Sequence, residues 1–270
     1  PYTDLVFPKN NKSVGIIGAG PSGLTCGYYL ARLGYEVIIY ESQPVAGGVL
    51  AFGIPEYRLP KEVLQKEINT IKQVGVNIQL NTEINSEQMF EDLRKKHNAI
   101  YIATGTQLSR KVGVPGEDLK GVYHGIDFLR DVNLGKFNQK KLGIVAIIGG
   151  GNTAIDAART AVRLGAKETH ILYRRTRDEM PADPREIEEA LEEGVILTEL
   201  VAPVKFIGVA NVTQIELVKM QIVGFDNSGR KKTTEISGSN YNMNVDLVIP
   251  AVSQYSDFPF IKKEAVEMTE

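Results

Sequence analysis

Two runs of apolar residues, each breaking into a glycine turn, set the framework of the chain. Val14-Gly15-Ile16-Ile17 leads into Gly18-Ala19-Gly20-Pro21-Ser22-Gly23, and Ile144-Val145-Ala146-Ile147-Ile148 leads into Gly149-Gly150-Gly151-Asn152-Thr153-Ala154. Apolar runs of this kind, rich in Val and Ile, predict strands. The turns lie 149 − 18 = 131 residues apart, and the same offset carries Arg32-Leu33-Gly34 onto Arg163-Leu164-Gly165. A helix-length segment separates each turn from its Arg-Leu-Gly. A β-rich run then follows, Glu36 to Tyr40 and Thr169 to Tyr173. Matched βαβ units at a fixed offset predict an α/β chain of two dinucleotide-type domains, each with a parallel sheet.

The remaining pattern fits between these units. Leu59 to Gly75 predicts a helix with Leu64, Ile68 and Ile71 on one face, and Val76 to Leu80 a short strand. Ser86 is placed to cap a helix running to His97. Ala99-Ile100-Tyr101-Ile102-Ala103-Thr104-Gly105 reads as a buried strand, and Pro184 to Gly194 as an acidic, solvated helix. From Val195 to Ile249 several strands are expected as a small antiparallel element, with a hairpin turn at Asp226-Asn227-Ser228-Gly229. Asp246 to Ala251 closes the second domain with a buried strand.

Composition excludes more than it assigns. The 270 residues are 43% hydrophobic and 24% charged, ordinary values for a globular protein with real cores. The charge balance of −2 gives no reason to expect nucleic acid. No apolar run reaches membrane-spanning length and no secretory signal is visible, so a cytoplasmic location is expected. One cysteine, Cys26, excludes an internal disulfide, a redox dithiol or a four-cysteine iron–sulfur site; it reads as a packed thiol. The chain begins at Pro1, which fits a processed or excised piece.

A pyrophosphate needs backbone N–H donors, a helix N-terminus and no side chain in its way. Gly18 permits the tight turn, Gly20 close approach, and Gly23 contact between helix and strand. Pro21 and Ser22 open the helix. Glu41 follows eighteen residues after Gly23, at a strand end where a carboxylate can accept from both hydroxyls of a ribose. Gly47-Gly48 is a second place where a ligand can meet bare backbone. Arg58, set among prolines, suits either a phosphate or an acidic neighbour.

Gly18-Ala19-Gly20-Pro21-Ser22-Gly23-Leu24, Glu41, Gly47-Gly48 and Gly53-Ile54-Pro55-Glu56-Tyr57-Arg58-Leu59-Pro60 together resemble the glutamate synthase small-subunit family. Similar flavin regions occur in dihydropyrimidine dehydrogenase and electron-bifurcating transhydrogenases. The resemblance extends through Ala103-Thr104-Gly105, Gly113-Val114-Pro115-Gly116, Tyr173-Arg174-Arg175 and Glu179-Met180-Pro181-Ala182. It implies two Rossmann-like domains, the first binding FAD. Gly18, Gly20 and Gly23 would hold its pyrophosphate and Glu41 its adenosine ribose. Gly48 and Arg58 would approach the flavin side, and Thr104 and Gly105 the crossover. The resulting division is 1–121 for the FAD-binding domain and 122–252 for the NADP(H)-binding domain. Residues 253–270 begin a return to the first and stop short.

At the second turn, Gly149, Gly151, Asn152 and Thr153 are the corresponding cradle, and Ala154 replaces the third glycine. Aligning Tyr40 with Tyr173 puts Arg174 in the place of Glu41. Planar guanidinium donors match phosphate oxygens where a carboxylate repels them. Arg174, Arg175 and Arg177 therefore argue for NADP(H) over NAD(H), the alternative being pairing with Asp178 and Glu179 on a wet surface.

Hydride transfer between such cofactors needs no general acid or base from the protein, and no catalytic side chain or metal ligand is nominated. His97 reads as polar surface at a helix end, His170 as part of a strand, and His124 is unassigned. The resemblance also implies an iron–sulfur domain or subunit as electron partner. It further implies a closing Gly-Asp motif that this sequence ends before; Asp257 does not match it, and Ser253 stands where a glycine is usual. Weak FAD retention is the expectation that follows. Competing readings are a nucleotide-binding scaffold within an assembly and a flavin-dependent monooxygenase.

Overall fold

The structure, a computed structural model, describes residues 7–139, 142–225 and 229–261. The chain divides into two units, Pro1–Leu108 with Tyr255–Glu270, and Ser109–Gln254.

In the first unit β1 (Ser13–Ile17) runs into α1 (Pro21–Arg32), followed by β2 (Glu36–Tyr40), α2 (Val49–Phe52) and α3 (Lys61–Gln73). Then come β3 (Val76–Gln79), α4 (Glu87–Lys96), β4 (Ala99–Ile102) and the short β5 (Leu108–Ser109). The first four strands form one parallel sheet in the order β3-β2-β1-β4. Alternate side chains leave a strand on opposite faces. Val14 and Ile16 therefore pack with Leu24, Leu64 and Ile68, while Ile17 and Ile38 pack with Leu93 and Phe260. Both faces are covered, which is why the strands read as continuous apolar runs. Ser86 caps α4 as its spacing predicts, its side chain accepting from the Met89 N–H at 3.4 Å.

Two expectations are corrected here. The run Ala99 to Gly105 is not a buried strand: β4 lies at the sheet edge and Tyr101 is 39% exposed. His97 is not polar surface but 7% exposed. A Cβ on Gly15 would stand 2.7 Å from the His97 ring, so this glycine makes the room that lets the imidazole fold inward. There its Nε2 lies 2.9 Å from the Tyr40 hydroxyl and its Nδ1 3.2 Å from the Ser13 hydroxyl. Burial, then the neighbouring Lys96 charge, hold the imidazole pKa below its ordinary value.

The second unit contains α5 (Gly125–Asn133), β6 (Ile144–Ile148), α6 (Asn152–Arg163), β7 (Glu168–Tyr173), a 3-10 turn (Arg177–Glu179) and α7 (Pro184–Glu192). It continues through β8 (Ile196–Glu199), β9 (Val201–Gly208), β10 (Val212–Phe225), β11 (Lys231–Glu235), β12 (Tyr241–Asn244), β13 (Leu247–Pro250) and β14 (Gln254–Tyr255). A parallel sheet, β13-β6-β7-β8, carries the helices on one face. On the other face Ala146, Ile148, Leu172 and Val248 meet Phe206, Ile215 and Leu217 of the antiparallel sheet built from β9 to β12. β10 and β11 pair antiparallel, but residues 226–228 of the expected hairpin turn lie outside the described residues.

The repeat holds at the level of elements. Adding 131 to Ser13 and Pro21 gives residues 144 and 152, the first residues of β6 and α6, and adding it to Arg32 gives 163, the last of α6. The acidic helix α7 departs from a simply solvated one. Ile187 and Ala190 are buried, and Glu189 and Glu193 at its C-terminal end accept from the buried Arg159 at 2.6 and 2.7 Å. Glu193 also pairs with Arg163.

Candidate functional site

Both glycine turns lie at the carboxyl ends of parallel strands, the side on which such sheets bind ligands. In the first, Gly18 takes φ +104, and a Cβ there would stand 2.4 Å from the Ala103 carbonyl oxygen. A Cβ on Gly23 would stand 2.0 Å from the Gly18 oxygen, so helix and turn touch only because both positions lack side chains. Gly20 is different: a Cβ would meet nothing closer than Gly48 at 3.9 Å. It is the N-cap of α1, with no side-chain cap, Pro21 at the first helical position and no acidic residue in the first turn. Bare N–H donors at the positive end of a helix dipole thus face open space, which fits a dinucleotide pyrophosphate. Ser22 hydrogen-bonds the Tyr101 hydroxyl at 2.8 Å.

Glu41 is 2% exposed. One carboxylate oxygen accepts from the Ala19 N–H at 2.7 Å and the other from the Gln43 N–H at 2.9 Å. The second oxygen also accepts from the Ser42 hydroxyl at 3.3 Å, so the turn fixes the carboxylate and the oxygen bonded to Ala19 keeps lone-pair capacity for a further donor. Gly48 sits against Gly20, with φ +56. Arg58 is half-buried, and Lys61 holds the segment before it by donating to the Leu50 carbonyl at 3.2 Å. The Thr104 hydroxyl is buried without a partner among the described residues, and Gly105 has φ +68 with its carbonyl accepting from Ser256 at 2.9 Å.

The second turn repeats this construction. A Cβ on Gly149 would stand 2.4 Å from the Ala251 oxygen, while one on Gly151 would meet only Pro181 at 3.9 Å. Gly151 is the uncapped N-cap of α6, and no acid lies in the first turn. Ala154 stands at the third position, its methyl 3.5 Å from where a Cβ on Gly149 would lie, an ordinary van der Waals contact. Asn152 accepts from the Asp183 N–H at 3.2 Å, and the Thr153 methyl would lie 3.1 Å from a Cβ on Gly125.

Sheet register changes one assignment. Ile17 pairs with Tyr40, and its counterpart Ile148 pairs with Leu172. The Gly18 N–H donates to Tyr40 and the Gly149 N–H to Leu172. Leu172, not Tyr173, is thus the counterpart of Tyr40, and Tyr173, not Arg174, occupies the place of Glu41, because the connection from α6 to β7 is one residue longer than that from α1 to β2. The acid is replaced by an aromatic wedge. A Cβ on Gly150 would stand 2.6 Å from the Tyr173 ring, and the Tyr173 hydroxyl donates to the Glu179 carbonyl at 2.7 Å.

Arg174 comes one position later. It is exposed and has no ion-pair partner among the described residues. Arg175 is 8% exposed, with Nε donating to the Lys231 carbonyl at 2.6 Å. Arg177 pairs with Glu188, not with Asp178 or Glu179. Thr176 and Glu179 form a capping box. Their Thr-x-x-Glu spacing was present in the sequence as the signal for an ordered turn here. Nothing in the sequence pattern pointed to Lys231, whose ammonium lies 2.5 Å from the Glu179 carboxylate. Cys26 is partly buried, and burial pushes its thiol pKa up.

The pyridine nucleotide-disulphide oxidoreductase family model matches residues 12–252, which spans both glycine turns. The chain belongs to that family. Membership makes it an oxidoreductase chain with FAD and NADP(H) as its cofactors. It is 44% identical over 255 residues to the NADP(+)-dependent formate dehydrogenase subunit beta of Moorella thermoacetica, covering 93% of this chain and 36% of that protein. With the glutamate synthase [NADPH] small chain of Azospirillum brasilense it shares 37% identity, over 89% of this chain and 52% of the relative. The expected resemblance to glutamate synthase small chains is thus found. The chain spans well under two thirds of these relatives. Among solved structures, Mycobacterium tuberculosis FprA in complex with NADPH has the same fold, with a TM-score of 0.80 at 18% identity over 94% of this chain and 72% of FprA. No helix among the described residues is long and apolar enough to cross a membrane.

Proposed function

We propose that this chain is the flavin and NADPH module of a cytoplasmic oxidoreductase, relaying electrons between NADPH, FAD and an iron–sulfur domain or subunit. The observation that carries the reading is the contrast between the two cradles. A buried carboxylate, Glu41, ends the first, and a tyrosine followed by Arg174, unpaired among the described residues, ends the second. A carboxylate suits a bare ribose diol and opposes a 2′-phosphate. An unpaired guanidinium does the reverse. One kept and one exchanged nucleotide is what a flavin-linked pyridine-nucleotide reductase needs.

In this reading Gly18, Gly20, Pro21, Ser22 and Gly23 bind the FAD pyrophosphate and Glu41 its adenosine ribose. Gly48, Arg58, Thr104 and Gly105 border the flavin side, with the buried Thr104 hydroxyl as an available donor. Gly149, Gly151, Asn152 and Thr153 take the NADP(H) pyrophosphate, Arg174 the 2′-phosphate, and Arg175 shapes the loop beside it. Bound flavin supplies the hydride acceptor and the switch to single-electron delivery. The protein's own residues bind, orient and exclude water. The partner is supported by the relatives, among them a formate dehydrogenase subunit and a glutamate synthase small chain.

The test is anaerobic titration of the flavin-loaded protein with NADPH. Bleaching of the flavin absorbance followed by electron passage to a low-potential iron–sulfur acceptor supports the relay. Binding without bleaching supports a scaffold, and oxygen-dependent consumption of an organic substrate a monooxygenase.

A further inference from the structure

The loop that carries Arg174 is held by a part of the fold outside the parallel sheet. Glu179 closes this loop. Its carboxylate accepts from the Thr176 N–H at 3.2 Å and from the Thr176 hydroxyl at 2.5 Å, and its carbonyl accepts from Tyr173. The same carboxylate lies 2.5 Å from the Lys231 ammonium, at the start of β11. Lys231 makes a second attachment through its carbonyl, which accepts from Arg175 Nε at 2.6 Å. The Arg175 carbonyl in turn accepts from the Leu200 N–H at 3.2 Å. The β10–β11 hairpin thus grips the loop at two points, one through charge and one through backbone.

Charge placement gives this grip a chemical meaning. The Glu179 side chain is only 14% exposed and that of Lys231 33%. The Lys231 hydrogen bond comes first among the influences that hold Glu179 below the ordinary carboxylate range, followed by that from the Thr176 hydroxyl. A carboxylate in this loop opposes an incoming phosphate dianion and can also capture a neighbouring guanidinium. Paired with Lys231 it does neither. Arg175 and Arg177 are already engaged, by the Lys231 carbonyl and by Glu188. Among the described residues Arg174 has no ion-pair partner and remains available.

We propose that Lys231 is a positioning residue for coenzyme selectivity. It neutralises Glu179 and fastens the 173–179 loop, so that Arg174 stays open to the 2′-phosphate and no uncompensated carboxylate faces it. This rests on the reading of Arg174 given above. The prediction is selective because NADPH and NADH differ only in that phosphate: loss of the Lys231 charge weakens NADPH binding and leaves NADH binding in place.

The experiment measures dissociation constants for NADPH and NADH by nucleotide fluorescence, in the full-length protein and four variants. Lys231→Met should lower the preference for NADPH roughly three- to tenfold, the size of coupling expected between neighbouring charged groups. Lys231→Arg should keep the preference. Glu179→Gln retains the acceptor for Thr176, so adding it to Lys231→Met should restore most of the loss. Arg174→Ala serves as the control for the underlying reading. If Arg174→Ala removes the preference while Lys231→Met leaves it intact, the role of Lys231 is overturned and the arginine reading stands. If neither changes it, the arginine reading fails and takes this one with it. If Lys231→Met weakens NADH and NADPH equally, or Glu179→Gln rescues nothing, Lys231 is merely structural and the proposal is wrong.

Discussion

At the scale of single residues, glycine does unequal work in the two turns. Gly23 cannot carry a Cβ, since 2.0 Å from the Gly18 oxygen is far inside any real contact, whereas its counterpart Ala154 sits 3.5 Å from a Cβ on Gly149. Gly23→Ala should therefore cost about 1–3 kcal/mol through overpacking and displace the first turn. The urea midpoint and flavin content of the purified variant check this, and a wild-type value for both would contradict it. Ala154→Gly should leave nucleotide binding nearly unchanged. At Arg174 the expected effect is electrostatic. A charge-assisted hydrogen bond is worth about 1.5–3 kcal/mol, so Arg174→Glu should narrow or reverse a ten- to hundredfold preference for NADPH. An unchanged ratio of the two dissociation constants would remove Arg174 from the site.

At the scale of elements, the second unit ties α6 to α7 with a network of charges. Arg159 is 7% exposed at its side chain and is met by Glu189 and Glu193, with Arg163 completing the set. The hydrogen bond from Arg163, followed by the contributions of Arg159, outweighs burial and holds the Glu193 carboxyl down to about 2, from an ordinary 4.5. The depressed value means the folded state binds this proton less readily than the unfolded chain. The stabilisation is complete above about pH 4.5 and is lost as pH falls towards 2. Glu193→Gln should reduce stability at pH 7 by about 1–3 kcal/mol and flatten the acid limb of the unfolding profile. Thermal melts between pH 3 and 7 provide the check, and parallel acid limbs in variant and wild type would count against the network. The sequence showed α7 as an acidic helix and could not show this, because the arginines lie a strand and a turn away in the chain.

At the scale of the whole molecule, the repeat was the most legible feature. Strand, glycine turn and helix recur at one offset, and β1, α1, β6 and α6 begin where that offset places them. The cradles were legible for the same reason, since backbone approach demands glycine and glycine is visible. What escaped depends on partners distant in sequence. His97 turns inward because Gly15 leaves it space, and β4 is half-exposed because no strand among the described residues lies beyond it. Tyr173 displaces Arg174 by one position because pairing register, not chain alignment, decides equivalence. Lys231 reaches Glu179 only through the antiparallel sheet. Integrated function predicts that excess NADPH bleaches bound flavin under anaerobic conditions, whereas NADH at the same concentration does so at least tenfold more slowly. Stopped-flow absorbance separates the two.

The selectivity of the second cradle carries the account, and paired equilibrium titrations of the full-length protein with NADPH and NADH test it most directly. A dissociation constant at least tenfold lower for NADPH, with the gap closing as salt rises and screens the 2′-phosphate, is the predicted result. Equal constants for the two nucleotides, or no binding of either, would contradict it.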